Sequence, residues 1–374
     1  MKITILQENL SKALSIASRF VSSKVQLPVL SNFLLETKNG QLVVSATNLD
    51  LGVSVSVPAK VEKEGSIAVP ARVLLELVAG LPKDKIELIQ ENTALKVVSG
   101  GHRSLVNGMM GSEFPKLPEP PAKANLEFDY KTLSDIASQI CFSSSQDEGR
   151  PALTGILVGV KEKEFVFVAT DGFRLSIKKV QSEGNKNKDD VSILIPSRAF
   201  LEAGKISSEK TDKNSEVAGL SIIENGNQVL FSWGDVVLSS RVIDGKFPPY
   251  EKIIPEKATT RVSVDKEEFQ KSIKLASIFA RESANIIKIK TGPGKIKISA
   301  NTPQVGENES EIEAKTEGDS NEIAFNSRYI TEYLGGLTAD RVEMEIVGPL
   351  NPCVFKNPKD TSYLHIIMPV RVQG

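Results

Sequence analysis

The stretch VPARVLLELVAG, residues 69–80, decides how the rest of this chain is interpreted, because it returns twice. IPSRAFLEAG begins at Ile195 and FNSRYITEYL begins at Phe325, so the copies lie 126 and 130 residues apart. Each copy has a short apolar run, a Pro or Asn, a small residue, an Arg, and then a helical pattern with a Glu four residues after the Arg. A period this long indicates three tandem domains, because solenoid repeats span about 20–50 residues.

The segments around the three copies follow one order. An alternating strand precedes a first helix and a hairpin, and a second strand then leads into the repeated helix and a second hairpin. Turn signals mark the hairpins at Asn39-Gly40, near Asn92 and at Asn225-Gly226. We therefore predict an α+β fold in which each domain buries one face of its antiparallel sheets under two helices.

The proline-rich stretch FPKLPEPPAKA, residues 114–124, is typical of an extended connector. It sets the first of two boundaries, which divide the chain into domains 1–122, 123–254 and 255–374. Three further segments are polar, charged and contain Gly, and we expect surface loops without chemistry there: 181–190, 207–216 and 303–320.

Composition excludes several classes of protein. Hydrophobic content of 40% and charged content of 25% are ordinary for a globular protein, and no apolar run approaches the roughly 20 residues of a membrane span. Cys141 and Cys353 stand alone, so we expect neither a disulfide framework nor a metal site, and we expect a reducing cytoplasm. The net charge of −1 means that any contact with DNA needs cations gathered on one face.

The repeated Arg occupies the first turn of each repeated helix, as Arg72, Arg198 and Arg328. One interpretation is a helix-surface ion pair with the Glu four residues later, worth about 0.2–0.5 kcal/mol. The other is that three equivalent cations face a polyanion with a repeating backbone. The second interpretation is supported by three more cations expected at or just past the C-terminal ends of the first helices, Lys24, Arg150 and Arg281. The helix dipole also stabilises a cation at that position, which is the competing explanation.

Several motifs of this chain resemble those of the bacterial DNA polymerase III beta subunit, the sliding clamp. The resemblance covers essentially the whole length and rests on six stretches: LPVLSNFLLE (27–36), VPARVLLELVAGLP (69–82), VATDGFRLS (168–176), VIDGKFPPYEKIIP (242–255), FNSRYITEYL (325–334) and IIMPVRV (366–372). The motif ATDG-x-RL and the FP-x-Y segment are specific when they occur together in this order.

The resemblance implies three copies of a DNA-clamp domain and a head-to-tail homodimer that closes into a ring. Helices would line the hole and sheets would form the rim. Such a ring encloses duplex DNA without sequence preference and tethers the replicative polymerase, and an ATP-dependent clamp loader opens it. The resemblance implies no enzymatic activity and no cofactor.

The resemblance also assigns two sets of site residues. The residues expected to face DNA are Lys24, Arg72, Gln146, Arg150 and Arg198. A groove on the second and third domains is expected to bind short peptides of polymerases, loader and repair proteins, and its matching positions are Thr170, Gly172, Phe173, Arg174, Leu175, Pro248, Ile253, Asn326, Tyr329, Met368, Pro369, Val370 and Arg371. Without the resemblance, ATDGFRL predicts a tight hairpin turn and the tail predicts a closing edge strand. The chain departs from the family at Phe173, where many members have His, and in running on to Gln373 and Gly374.

A size estimate independently favours two chains. A domain of about 125 residues is roughly 35 Å across. Three such globules in a ring leave a gap of about 5 Å, whereas six leave roughly 35 Å. Only the larger gap passes a duplex roughly 20 Å wide. A closed ring also permits weak phosphate contacts, which suits a near-neutral chain that must slide.

Two other classes of function fit the sequence less well. An enzyme is disfavoured because His102 and His365 stand in unrelated contexts and no nucleophile elbow, phosphate-binding loop or Cys/His metal spacing occurs. A three-domain protein-interaction scaffold that does not encircle DNA remains the alternative, because the groove alone would suit it.

Overall fold

The structure is a computed structural model, and it describes residues 1–22, 27–161, 164–181, 191–209, 217–223 and 227–371. Within these ranges the chain forms six α-helices and twenty-six β-strands. They group into two compact units. The first unit is Met1–Lys131 with Lys205–Val242, and the second unit is Thr132–Gly204 with Ile243–Gly374.

The first third of the chain shows the predicted order of strand, helix and hairpin. At the first hairpin Asn39 and Gly40 have φ values of 51° and 74°, which a two-residue turn of this kind requires, and Asn92 has a φ of 55° at the second. The elements are β1 (Lys2–Leu6), α1 (Gln7–Ser18), β2 (Asn32–Lys38), β3 (Gln41–Thr47), β4 (Leu51–Pro58), β5 (Lys60–Lys63), β6 (Ser66–Pro70), α2 (Ala71–Gly80), β7 (Lys85–Glu91), β8 (Ala94–Ser99), β9 (His102–Asn107) and β10 (Met109–Met110).

The middle third repeats the order. The predicted turn at Asn225-Gly226 lies outside the described residues, but the strands on both sides of it pair as expected. The elements are β11 (Leu126–Asp129), α3 (Tyr130–Ile140), β12 (Gly155–Lys161), β13 (Glu164–Thr170), β14 (Arg174–Gln181), β15 (Val191–Pro196), α4 (Ser197–Glu209), β16 (Val217–Ile223), β17 (Gln228–Trp233) and β18 (Val236–Arg241).

The last third repeats it again. Its first helix is capped by Asp265, whose side chain accepts a hydrogen bond from the backbone N–H of Glu268. The elements are β19 (Thr260–Asp265), α5 (Lys266–Ala280), β20 (Ile286–Gly292), β21 (Lys295–Thr302), β22 (Gly306–Gly318), β23 (Glu322–Asn326), α6 (Ser327–Gly336), β24 (Arg341–Ile346), β25 (Cys353–Asn357) and β26 (Asp360–Ile367).

All strand pairs are antiparallel, and the sheets run across the predicted domain boundaries. In the first unit one sheet has the order β5-β1-β7-β8-β9 and the other β10-β6-β2-β3-β4-β18-β17-β16-β11. In the second unit the order is β15-β12-β13-β14-β26-β25-β24-β19-β22-β21-β20-β23. The predicted middle domain is therefore divided between the two units, because one of its hairpins extends each long sheet.

The helices bury the faces that their apolar spacing predicts. Leu10, Leu14 and Ala17 of α1 are all fully buried, and α1 packs on β3 and β4. The same apolar spacing continues to Val21, but Val21 lies beyond the end of α1 and is half-buried. In the last third α5 packs on β20, β21 and β22 in the same way. The helices α1 and α5 thus each cover one face of a sheet.

The prediction of a surface loop over 303–320 is wrong, because β22 occupies Gly306–Gly318 in the second unit. One part of this strand pairs with β21 and the other with β19. Most of its side chains are exposed, so the apolar alternation by which strands are recognised is missing. The available signal was a polar alternation, with Glu at every second position from 307 to 313. Of the other two predicted loops, 182–190 and 210–216 lie outside the described residues, and 207–209 belongs to α4.

Candidate functional site

The turn between β13 and β14, residues 170–174, is built by its own side chains, and we call it the rim turn. Thr170 Oγ1 accepts a hydrogen bond from the N–H of Gly172 at 3.1 Å and donates one to the carbonyl of Arg174 at 2.6 Å. Asp171 Oδ1 accepts from the N–H groups of Phe173 and Arg174 at 2.8 and 3.0 Å. Gly172 has a φ of 94°, which a side chain would strain. The turn leaves Phe173 59% exposed at its tip.

An apolar surface lies beside the rim turn. Leu175 is buried in a cluster that β13, β14, β25 and β26 share, and half-buried Phe247 and Tyr250 pack against this cluster. Their rings meet edge to face at 6.4 Å. Pro248 and Ile253, in the same segment, are exposed. The FP-x-Y segment therefore supplies one wall of a surface that offers apolar side chains to a ligand.

The tail supplies the next wall, and backbone hydrogen bonds hold it. The N–H of Met368 donates to the carbonyl of Phe173 at 2.8 Å, and the N–H of Val370 donates to the carbonyl of Ala324 at 2.8 Å. Met368, Pro369 and Val370 are half-buried, and Arg371 is exposed. Gln373 and Gly374 lie outside the described residues.

Arg174 differs from the other predicted groove residues because its guanidinium is buried. Nε donates to Asp171 Oδ2 at 3.0 Å, and the other two nitrogens donate to Glu332 and to the carbonyl of Phe142. The guanidinium carbon lies 5.2 Å from the ring centre of Phe142 and 4.6 Å from that of Tyr329. Arg174 therefore positions the rim turn and Tyr329. It does not itself offer a charge to a ligand, whereas Phe173 at the tip of the turn is exposed.

A cleft of about 1040 Å³ opens beside the rim turn within the second unit, and residues of the rim turn and Tyr329 line part of it. We call it the cation cleft because Arg150, Arg198 and Arg328 all line it, together with Gln146. Arg150 Nε donates to Asp147 at 2.9 Å, and its Nη1 donates to the carbonyl of Asp171 at 3.4 Å. The Arg150 guanidinium holds the pKa of Asp147 below its usual range.

The structure thus places three of the five predicted DNA-facing residues, Gln146, Arg150 and Arg198, on one cleft. Arg150 lies ten residues past the end of α3, in a loop, so the helix dipole gives no account of it. Arg72 belongs to the first unit, where 89% of its side chain is exposed and it pairs with Glu76 at 2.9 Å. Lys24 lies outside the described residues.

Among the predicted groove residues, the structure links the rim turn to the tail and links Asn326 to the helix turn that carries Tyr329. Those of the rim turn and the tail meet directly through the Met368–Phe173 hydrogen bond. Asn326 caps α6 by accepting a hydrogen bond from the N–H of Arg328 at 3.0 Å, which fixes the first turn that carries Tyr329. Sequence reasoning missed Phe142 and the link from Glu332 to Arg174, because no local motif joins residues so far apart in the chain.

None of the described residues forms a cluster of three or more His, Cys, Asp or Glu side chains that could hold a metal ion. His365 is buried, stacks on Tyr333 at 5.0 Å, and shares a hydrogen bond of 2.8 Å between its Nδ1 and Ser176 Oγ. None of the helices that the structure describes has both the length and the apolar character needed to cross a membrane.

Comparison with known proteins gives consistent results over the whole chain. Family models of the DNA polymerase III beta subunit match at residues 1–118 (N-terminal domain), 127–249 (central domain) and 251–371 (C-terminal domain). The beta sliding clamp of Staphylococcus aureus is 29% identical, with 99% of each chain covered. The crystal structure of the DNA polymerase sliding clamp from Bacillus subtilis superposes with a TM-score of 0.93 at 28% identity, and that of the DNA polymerase III beta subunit from Thermotoga maritima with 0.90 at 29%, each over 100% of both chains.

Proposed function

Because this chain belongs to the DNA polymerase III beta subunit family and is a DNA polymerase sliding clamp, not an enzyme, we propose that two copies close head to tail into a ring around duplex DNA. One observation carries the proposal. The chain contains two equivalent sheet joints, and among the residues that the structure describes the two strands of a third such joint have no partner on that side.

The two joints are made in the same way. In the first unit β4 pairs with β18, and Val53 lies opposite Leu238. In the second unit β14 pairs with β26, and Ser176 lies opposite His365. In each joint a strand of one predicted domain, β4 or β14, meets the last strand of the next domain, β18 or β26.

The strand that corresponds to β4 and β14 is the first part of β22, and the strand that corresponds to β18 and β26 is β9. Among the described residues, β9 pairs only with β8, and residues 306–313 of β22 pair only with β21. Unpaired edges of this kind recruit a further strand. A second copy offers the complementary edge at each end, so two chains use every edge and close the assembly.

The internal repeats also fix the register of the third joint. Val53, Ser176 and Asn308 are equivalent, since each lies opposite the Ala of the same motif, which is SAT, VAT or SAN: Ala46, Ala169 and Ala300. By the same reasoning Ser104 corresponds to Leu238 and His365, since they face Val97, Phe231 and Phe355 respectively. Asn308 should therefore lie opposite Ser104 of the second copy.

The side chains suit this register. Asn308 Oδ1 is buried without a hydrogen-bond partner among the described residues, and the hydroxyl of Ser104 can donate to it. One position along, exposed Glu309 comes opposite exposed Arg103. Opposite charges that face each other across an antiparallel pair contribute about 0.2–1 kcal/mol each.

The helices beside the joint also point to a missing partner. Leu275 and Ile278 on α5 are 41% and 46% exposed. The equivalent positions of α1 are Ile16 and Arg19, and both contact other parts of the chain. Ile16 is 6% exposed, and Arg19 donates to Glu209 at 3.0 and 3.2 Å. We expect Leu275 and Ile278 to pack on α2 of the second copy.

Within the ring, the cation cleft and Arg72 provide the contacts to phosphate. Backbone contacts carry no sequence information, so the clamp can slide. Escape requires opening the ring, so these contacts can stay weak, as a net charge of −1 favours. The groove beside the rim turn would take short peptides from the replicative polymerase, the ATP-dependent clamp loader and repair proteins, with Met368 adapting to different ligands. We place this activity in the cytoplasm.

Charge reversal tests the ring. We expect Arg103→Glu alone and Glu309→Arg alone to weaken the dimer at least tenfold, as measured by analytical ultracentrifugation. The double variant should recover most of the loss, because it restores the pair in both joints. Glu87→Arg, on β7 and two strands away from the open edge, is the matched control. A chain that stays monomeric at high concentration, or single variants that dimerise like the wild type, would overturn the proposed joint.

Retention on DNA tests the encirclement and separates a ring from the scaffold alternative. The protein is loaded on nicked circular DNA, and the circle is then cut once. A ring slides off the new ends, so retention falls to background, whereas an ordinary DNA-binding protein stays at the same level. A scaffold that does not encircle DNA shows no retention on the circle before the cut.

A further inference from the structure

A chain of hydrogen bonds, formed by charged side chains and one backbone carbonyl, links the partner groove to the cation cleft inside the second unit. It begins at Arg150, which donates to the carbonyl of Asp171. The carboxylate of Asp171 accepts from Arg174, which donates in turn to Glu332. Glu332 also accepts from Nε of Arg328 at 2.7 Å. The middle of the chain is buried, and its two ends are exposed cations.

Glu332 is the branch point, because its two oxygens serve two different arginines. Oε2 accepts from Arg174, whose side chain is 6% exposed, and Oε1 accepts from Arg328, whose side chain is 64% exposed. Glu332 itself is 26% exposed at the edge of the cleft. One carboxylate therefore divides its charge between a cation that supports the groove and a cation that solvent or a phosphate can reach.

The groove end of the link consists of residues that a ligand would touch. Tyr329 covers the guanidinium of Arg174, and Asp171 holds both Arg174 and the N–H of Phe173. Phe173 in turn holds the tail through the hydrogen bond from Met368. A stronger hold on Arg174 therefore tightens the rim turn, its exposed tip and the tail together.

We propose that Glu332 is a positioning residue through which phosphate contact at Arg328 orders the rim turn of the partner groove. The inference rests on the proposed function, since it takes the phosphate to be that of enclosed duplex DNA. A phosphate competes with Glu332 for the guanidinium of Arg328. When Arg328 turns to the phosphate, Glu332 keeps Arg174 as its remaining cationic partner and holds it more tightly. By linkage, a peptide that fixes the groove then favours phosphate contact by the same factor.

Amide hydrogen exchange directly measures how well ordered the rim turn and the tail are. The probe is a 30-base-pair duplex of mixed sequence, added at low salt, where phosphate contacts are strongest. We expect the amides of Phe173, Arg174 and Met368 to exchange about fivefold more slowly with the duplex than without it. In Glu332→Gln the duplex should leave their exchange unchanged, because the amide cannot supply the shared negative charge.

The chain offers a matched control. Glu76 accepts from Arg72 at the same place in the first copy of the repeated helix, and both side chains are mostly exposed. Glu76→Gln should therefore keep the full slowing at the rim turn. Unchanged exchange in β19, β24 and β25 of the second unit, which contains Glu332, would show that Glu332→Gln is folded.

Binding of the labelled duplex is followed in the same samples by fluorescence anisotropy, so the two proposals can fail separately. If the duplex does not bind, the proposed function fails. If the duplex binds but leaves the exchange of the rim turn unchanged, or if Glu332→Gln slows as the wild type does, the role of Glu332 is overturned.

Discussion

The first and third copies of the repeated helix have the same ion pair but different surroundings. In α2, Arg72 and Glu76 lie 2.9 Å apart, with side chains 89% and 67% exposed. In α6, Arg328 and Glu332 lie 2.7 Å apart, but Glu332 is 26% exposed because it also contacts buried Arg174. The first pair belongs to the helix surface alone, whereas the second belongs to a network. A repeated motif thus fixes the local geometry, and the neighbours decide its consequence.

The glycines near the ends of the same two helices make the same point. Gly80 of α2 and Gly336 of α6 are equivalent, and both are helical. A methyl group at Gly80 would meet nothing within 4 Å, whereas at Gly336 it would lie 2.4 Å from the carbonyl oxygen of Ser138. At Gly336 helix α3 approaches the helix backbone closely. Gly80 is open in the single chain, beside the edge where we expect α5 of a second copy.

The largest effect should come from the buried arginine that makes α6 different from α2. We expect Arg174→Ala to lower the free energy of unfolding of the second unit by about 2–4 kcal/mol, because it leaves Asp171 partly buried without its cation and leaves Glu332 with Arg328 alone. Urea unfolding followed by circular dichroism measures the loss. Arg174→Lys, which keeps the charge without the planar fork, should recover only part of it. A loss below about 0.5 kcal/mol, typical of a surface pair, would contradict the network.

The glycine pair should give the next largest effect. We expect Gly336→Ala to destabilise the second unit by about 1–3 kcal/mol, because the methyl group has no room against α3. Gly80→Ala should be neutral or stabilising by up to about 1 kcal/mol in the single chain, because alanine suits a helix better than glycine. Both are measured by urea unfolding in the Arg103→Glu background, where we expect the ring to be open. Equal effects at the two positions would show that their surroundings do not differ.

The third copy should also respond to acid in a way that the first does not, because Tyr333 of α6 packs against the buried His365. Burial, helped by Arg174, holds the pKa of His365 well below its ordinary value. The folded state therefore keeps His365 neutral, while the unfolded chain takes up a proton below about pH 6.5. Stability should fall as the pH falls through this range, by about 1.4 kcal/mol per pH unit for this one proton. His365→Gln should remove that share of the slope in urea unfolding between pH 7 and pH 5, and an unchanged slope would argue against it.

The smallest effect should come from the exposed pair of α2. We expect Arg72→Ala to change the free energy of unfolding by no more than about 0.5 kcal/mol, because both side chains stay largely in water. Salt at 0.5 M should erase even this difference, since screening acts on exposed charges. A loss above 1 kcal/mol would mean that Arg72 has a structural partner as Arg174 does.

Local sequence patterns correctly predicted the hairpin turns and the repeated helices, because the residues that form each of these elements are close together in the chain. The hairpins at Asn39 and Asn92 follow from residues that tolerate positive φ, and the repeated Arg lies in the first turn of each of the three repeated helices, as predicted. The strand over Gly306–Gly318 was missed because both of its faces are largely polar, so periodicity had no apolar side to detect. Its place in the sheet depends on two partner strands. The first part of β22 pairs with β21, which lies just before it in the chain, and the second part pairs with β19, which lies much earlier.

The candidate site divides in the same way. The rim turn was predictable from ATDG, because Asp171 and Gly172 satisfy the turn with their own side chain and backbone. The role of Arg174 was not, because two of its three acceptors lie 32 and 158 residues away, at Phe142 and Glu332. Sequence spacing cannot show that a guanidinium is enclosed by rings from two other segments.

The amino-acid sequence by itself determined the triplication, the antiparallel hairpins and the family, since these depend on residues within a few positions of one another or on motifs in a fixed order. Only the tertiary structure decided which edges remain unpaired and which copies of the repeated Glu support a buried cation. The physical reason is that pairing and burial depend on chain segments that meet across more than a hundred residues. Identical local motifs therefore acquire different partners, and different energies, in each copy.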